Sequence, residues 1–288
     1  MSEAKSGTAP TVLRIVLSKR LGALRKRAGV TFDAAAEAID VTPVTIRRME
    51  KAEVGLKIPY VRQLLGLYDV PAGEIEEFIE LARTANRPGW WHDYRDALPD
   101  WFSVYVSLED EATLIRTYEP HYVPGLLQTE EYARAVLRAG LGRGADGELE
   151  RRVALRLKRQ ELLEKPGAPA LWALVEEAVL CRPVGGREVM RGQIERLFQA
   201  STMTNVTLQL LPFEVGPHIG AFGPFSLFRF PMPELPDIVY TESISGASYQ
   251  DQRPYVAAHL EALDRLSTQA KTVEETRKIL EDARKDRI

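Results

Sequence analysis

The chain has 288 residues, 45% of them hydrophobic, and a formal net charge of −3, enough to bury a substantial core in one or two domains. No apolar run approaches the roughly 20 residues that span a bilayer, and the start MSEAKSGTAP holds no signal-peptide stretch, so the expected location is cytoplasmic, away from membranes. The single cysteine, Cys181, excludes an internal disulfide and argues against a cysteine metal cluster; it is expected as a small buried residue beside Leu180.

Charge is unevenly divided along the chain. Residues 1–68 hold 12 Lys and Arg against 6 Asp and Glu, a net of +6, while the rest of the chain carries −9. A basic module on an acidic body is the asymmetry expected when only one end meets phosphate. Residues 1–11 are expected as a disordered tail. From Val12 to Ala28 the apolar positions Val12, Ile15, Val16, Leu21, Leu24 and Ala28 follow a 3.6-residue period and predict a first helix, which Gly29 stops. Thr31 caps a second helix, Phe32–Ile39, with a core of Ala34, Ala35, Ala36 and Ala38, and Asp40–Val41 breaks it. Thr42 caps a third, Pro43–Lys51, where Pro43 takes the first helical position and loses nothing by lacking an N–H. That helix turns Ile46 and Met49 inward and Val44, Thr45, Arg47 and Arg48 mostly outward. Ile58–Tyr68 and Gly73–Arg87 complete five helices.

Two short helices joined by a tight turn, with an alanine at the close crossing, describe a helix-turn-helix. The stretch LRKRAGVTFDAAAEAIDVTPVTIRRMEK resembles the Xre-type, phage-repressor-like helix-turn-helix family. The resemblance implies an all-α, lambda-repressor-like domain over residues 12–87 that binds double-stranded DNA. It makes Ala36 the contact between the two helices, Ile39 and Ile46 core positions, and Arg25 and Glu50 a helix-to-helix ion pair; ordinary surface charge is the alternative for that pair. A helix fits the major groove and its first two turns reach base edges. Matching the family pattern turns Pro43, Val44, Thr45 and Arg48 toward the bases, with Arg47 as an addition. Arginine there suits guanine O6 and N7, and Val44 and Thr45 suit thymine methyls. Thr31, Thr42, Lys51 and Lys57 are expected on phosphates. The sequence departs from the pattern twice. Phe32 stands where the family often has a phosphate-anchoring Gln, and Asp40 stands where the turn often has Gly, although aspartate tolerates a left-handed backbone.

The NRPG of Asn86–Gly89 ends the helical periodicity and sets the expected boundary of a second domain, 88–288. Trp90, Trp91 and Trp101 are expected to anchor a core or an interface. The helical half of this aromatic segment starts near Asp100. Branched and aromatic runs predict strands at Thr113–Glu119, Leu171–Glu176, Val206–Leu211, Phe225–Phe230 and Ile238–Glu242. Helices are predicted at Thr129–Ala139, Gly147–Glu164, Arg187–Ala200, Asp251–Thr268 and Ala270–Lys285. The result is an α+β domain with a mixed or antiparallel sheet. The phrases YEPHYVPGLLQTEEYARAV, LRLKRQELL, EEAVLCRPVGG, NVTLQLLPFEVG, GPFSLFRF and IVYTES look like the C-terminal domain of a large actinobacterial family of antitoxin-like regulators. That resemblance implies a DNA-binding regulator frequently encoded beside a small partner protein.

Within this domain Val123, Pro124, Gly125, Leu126, Leu127, Gln128 and Thr129 form either a packed loop cornered by Pro124–Gly125 or one wall of a ligand or partner groove. The loop Phe213–Phe222 is expected as a flap or a cover for a sheet edge. His92, His121, His218 and His259 lack metal-ligand spacing, and GxSxG, Walker A and GxGxxG are missing from the sequence. Neither metal, cofactor nor catalysis is therefore expected. Glu109–Asp110–Glu111 and Glu176–Glu177 are expected on solvated surface. Two functions remain. One is a homodimeric regulator whose C-terminal domain senses a small partner protein or ligand; the other is an antitoxin-like or adaptor protein that mainly sequesters such a partner. Val256, Leu260, Leu263 and Leu266 on the Asp251–Thr268 helix either supply the dimer interface or pack in the core.

Overall fold

A computed structural model describes residues 12–86, 89–94, 96–97, 100–141, 146–231, 235–244 and 246–286. The expected tail, 1–11, and residues 87–88 at the expected boundary lie outside the described residues. The described chain divides into two compact units: residues up to 94 with 100–108, and residues 96–97 with 109–286. The aromatic segment after residue 88 thus groups with the first unit. The helix Asp100–Glu111 begins in the first unit and ends in the second.

The first unit is helical. Its helices are α1 (Val12–Arg27), α2 (Phe32–Ala38), α3 (Pro43–Glu50), α4 (Ile58–Leu67) and α5 (Ala72–Ala85), five in the expected order. The predicted caps form: Thr31 Oγ1 accepts from the Ala34 amide at 3.1 Å, and Thr42 Oγ1 accepts from the Thr45 amide at 3.4 Å. Leu17, Leu21, Leu24, Ala36, Ile46, Met49, Leu64 and Phe78 belong to one buried cluster drawn from all five helices. Between α2 and α3 the backbone enters the left-handed region at Asp40, with φ of 53°, so the aspartate does what glycine does in such turns. After this unit's fifth helix a short 3₁₀ turn, Trp90–Tyr94, sets Trp90 edge-on to Trp91 with 5.9 Å between ring centroids. The Trp101 side chain lies outside the described ones.

The second unit follows α6 (Asp100–Glu111). Its elements are β1 (Leu114–Glu119), α7 (Glu130–Gly140), α8 (Asp146–Gln160), β2 (Ala170–Glu176), α9 (Glu177–Cys181), α10 (Arg187–Ala200) and β3 (Val206–Leu211). They continue with β4 (Phe225–Arg229), β5 (Ile238–Ser243), β6 (Gly246–Gln250), α11 (Arg253–Gln269) and α12 (Val273–Asp286). The six strands form one mixed sheet in the order β3-β2-β1-β4-β5-β6. β1, β2 and β3 are parallel neighbours, and β4, β5 and β6 continue antiparallel. Each parallel step needs a long crossover, which the helices between the strands supply. Hydrophobic runs in β1–β3 are buried along most of their length, as strands covered on both faces must be. The all-α and α+β halves expected from the sequence are both present.

Several expectations are corrected. β6, GASYQ, lacks branched alternation and is half-buried throughout, so only its pairing with β5 reveals it. The apolar stripe of α11 packs on the sheet: Val256, Leu263 and Leu266 are buried against Tyr118, Leu174, Leu227 and Val239. Of the two fates expected for that stripe it takes core packing, with Leu260 partly buried beside the other three. Cys181, expected buried, is exposed, because it ends the five-residue α9 while Val179 and Leu180 take the inward positions. Glu109, expected on the surface, is 2% exposed and fully engaged by Arg159, whose Nε and Nη2 donate to its two oxygens at 2.7 Å each. Asp110 pairs with Lys165 at 3.1 Å. None of the described helices is long and apolar enough to cross a membrane.

Candidate nucleic-acid interface

Helix α3 is positioned by its own inward side chains. Ile46 and Met49 are 0% and 1% exposed, and Ala36 at 2% leaves room for α2 to approach closely. The tether behind α3 is an ion pair. Arg25 Nε donates to Glu50 Oε1 at 2.6 Å and Nη2 to Oε2 at 3.1 Å, while Nη1 donates to the Val30 carbonyl at 2.9 Å. The two side chains are 7% and 11% exposed, so the pair is buried and the surface-charge alternative is excluded. Glu50 raises the Arg25 guanidinium above its ordinary value, chiefly through those hydrogen bonds. Gly22 makes the approach possible: a Cβ there would meet Glu50 Oε2 at 2.8 Å. Tyr68 lies behind the pair, its phenol pushed up to about 12 by burial and by Glu50.

The opposite face of α3 meets solvent. Val44 is 56% exposed, Arg47 and Arg48 are exposed, and Pro43 and Thr45 are half-buried. Thr45 Oγ1 lies 3.1 Å from the capping hydroxyl of Thr42, which fixes its rotamer at the helix start. The two arginines differ. Arg47 lies over the Phe32 ring at 4.8 Å, and Arg25 covers the same ring at 3.8 Å, so Phe32 is a platform shared by two guanidinium groups. Arg48 points instead toward Glu53, 3.6 Å away, in a pair whose side chains are half-exposed. An exposed pair is worth about 0–1 kcal/mol, whereas a bidentate guanine contact discriminates by about 1–3 kcal/mol, so Glu53 holds Arg48 in place without outbidding a base. Thr31, Thr42, Lys51 and Lys57 are all exposed, and Lys57 lies over the Tyr60 ring at 5.2 Å. Neither the shared ring nor Glu53 is marked as functional by the sequence. The available signal is weak: an aromatic residue where a polar one is usual, and an acid five positions after an arginine.

In the second unit the segment Val123–Thr129 is a packed corner. Val123, Pro124, Leu126, Leu127 and Gln128 are buried, and Gly125 and Thr129 are half-buried. Three glutamines bind its backbone. Gln128 Nε2 donates to the Val123 carbonyl at 2.6 Å; Gln160 Nε2 donates to the Gly125 and Gln128 carbonyls at 3.0 and 2.8 Å. Gln193 Nε2 donates to the Leu127 carbonyl at 2.8 Å, and its Oε1 accepts from the Thr129 amide at 2.8 Å. Buried side chains and bound carbonyls are the features of the packed-loop alternative. Elsewhere in this unit Glu176, also expected on the surface, accepts from the Tyr118 hydroxyl and lies 3.2 Å from His218 Nε2. Among the described residues, no group of three or more His, Cys, Asp or Glu could hold a metal ion.

Two regions of the chain match known families. Residues 16–78 match one described as a helix-turn-helix domain, and residues 102–282 match one described as a domain of unknown function, DUF5753. No curated protein and no solved structure matches.

Proposed function

The chain belongs to the DUF5753 family and carries a helix-turn-helix domain ahead of that domain, and from this premise we propose that it is a sequence-specific DNA-binding transcriptional regulator. The observation that carries the reading is α3 itself. It is clamped from behind by Ile46, Met49 and the buried Arg25–Glu50 pair, and presents Val44, Thr45, Arg47 and Arg48 outward from a basic segment. In this reading Arg48 and Val44 meet base edges, with Pro43 and Thr45 beside them. Arg47, drawn onto Phe32, serves phosphate more than base. Thr31, Thr42, Lys51 and Lys57 complete the backbone contacts.

The finer assignment is of the same kind: an Xre-type, antitoxin-like regulator of actinobacterial pattern, cytoplasmic and non-catalytic. Its C-terminal domain receives a small partner protein or ligand. We propose that it acts as a homodimer, because paired half-sites about one helical turn apart call for a two-fold protein. A monomer by light scattering, free and on DNA, would remove the dimer from the proposal.

In vitro site selection, repeated with Arg48→Ala, tests DNA reading. The substitution is expected to relax specificity at one or two positions, by about 1–3 kcal/mol. Lys51→Ala is expected to weaken all sequences alike and flatten the salt dependence. An unchanged base preference in Arg48→Ala would overturn the recognition assignment.

A further inference from the structure

The second unit leaves four large hydrophobic side chains in solvent among its described residues: Tyr122, Phe213, Phe222 and Ile244, at 37%, 60%, 95% and 110% exposure. Single exposed hydrophobics are ordinary, but a set gathered in one place with a polar rim marks an interaction surface. The sheet topology gathers all four. β1, β2 and β3 end at Glu119, Glu176 and Leu211, and β4 begins beside them because Phe225 pairs antiparallel next to Tyr118. β5 runs back toward the same end and turns into β6 at Ser243–Gly246. Tyr122 follows β1, Phe213 follows β3, Phe222 precedes β4, and Ile244 lies in the β5–β6 turn. Every one leaves the same end of the sheet, and the described connections at the other end expose no large hydrophobic residue.

The loop that carries both phenylalanines is pinned in its middle. His218 Nδ1 accepts from the Gly220 amide at 3.2 Å, and its Nε2 faces Glu176 at 3.2 Å. Gly220 is pressed against the Tyr118 ring, where a Cβ would come within 2.4 Å. Phe213 and Phe222 stand at the two ends of this anchored stretch. The middle of the loop is anchored, so covering the two rings would not require ordering the whole loop.

The same end is acidic. Glu176 and Glu177 follow one another at the end of β2, Glu214 adjoins Phe213, and Glu242 stands two residues before Ile244. Lys271 pairs with Glu214. Glu177 accepts from the Phe213 amide at 2.8 Å and Glu242 from the Tyr240 hydroxyl at 2.6 Å, both neutral donors, and Lys271 also interacts with Glu177 through space. Glu119 adds little charge at neutral pH, since burial and Glu242 push its carboxyl up to about 8. A carboxylate rim repels phosphate, and it repels an identical surface, because a two-fold contact would set acid against acid.

We propose that this end of the sheet is a docking surface for a cationic segment of a partner protein, with apolar side chains that cover Tyr122, Phe213, Phe222 and Ile244 between flanking Lys or Arg. From β3 to β5 is four strand spacings, about 19 Å. That distance suits a helix of about 13 residues or a shorter extended segment. The inference rests on the partner-binding half of the proposed function and is independent of DNA recognition.

Panning a random library of peptides of about 12 residues on the full chain tests it. Basic peptides rich in Leu, Phe or Trp are expected to be enriched. The synthesised consensus peptide should bind more weakly as salt rises, and about tenfold more weakly to the F213S/F222S and E177K/E242K variants. Affinity of these variants for the selected DNA site should stay unchanged. Enrichment of neutral or acidic peptides, or affinity indifferent to both variants and to salt, would overturn the proposal. A dimer that Phe222→Ser converts to monomer would assign the surface to a second copy and overturn it equally. Should charge reversal unfold the unit, the salt dependence of the unaltered protein still decides. Loss of sequence-specific DNA binding with peptide binding intact would strike the regulator reading and leave this one standing.

Discussion

In the helical unit a capping threonine and a proline open α3, whose outer face meets solvent: Val44 is 56% exposed and both arginines are exposed. In the sheet unit Pro124 and the capping Thr129 bracket a segment whose leucines and Gln128 are buried, with three glutamines holding its backbone. Both segments stand out in the sequence for the same reasons, a proline, a cap and an apolar run. One presents chemistry and the other consumes it. Prominence of a motif reports that the backbone is fixed there; which way the side chains point depends on what packs behind it.

Among the described residues each unit holds a buried bidentate pair, Arg25–Glu50 in one and Arg159–Glu109 in the other, and these give the sharpest test of whether the two regions are independent. Arg25→Ala and Arg159→Ala are each expected to cost about 3–5 kcal/mol, since each strands a buried carboxylate. Calorimetry should show the first variant lowering one transition and the second lowering another. A single transition lowered equally by both would merge the units into one cooperative body.

Gln193→Ala comes next. It unbinds the Leu127 carbonyl and the Thr129 amide together, and about 1–3 kcal/mol of second-unit stability should go in urea unfolding with DNA affinity untouched. If stability held and partner binding failed instead, the corner would be a site after all. Thr42→Ala should cost about 1 kcal/mol, read as a lower midpoint for the helical unit, because the cap on the Thr45 amide is lost.

At neutral pH the smallest effect belongs to Tyr68. Its folded phenol is pushed up to about 12 while the unfolded one titrates near 10. Between those values the unfolded chain releases a proton that the folded unit keeps, so stability is whole below about pH 10 and falls as pH rises toward 12. Tyr68→Phe should flatten that decline in a pH series of melting curves. It should cost little at neutral pH, because the buried hydroxyl finds no hydrogen-bond partner among the described residues. An identical alkaline decline in the variant would assign the loss to other tyrosines.

What was legible in the sequence was local. The caps at Thr31, Thr42 and Thr129, five of the six strands and the left-handed Asp40 follow from short-range backbone chemistry that a few residues specify. The pairing of Arg25 with Glu50 was legible only through resemblance, because their separation of 25 positions carries no periodic signal. Tertiary structure alone decided the rest. It buried Glu109 against Arg159 across 50 positions, set Arg47 and Arg25 on one Phe32 ring, turned the α11 stripe inward and left Cys181 outside. It also gathered Tyr122, Phe213, Phe222 and Ile244 at one end of the sheet. Those residues are spread over more than a hundred positions, and only strand order and direction bring them to the same edge. A cap or turn is stabilised within a few residues of itself. Exposure, ion pairing and surface clustering depend on which distant segment arrives, and the packed fold alone supplies it.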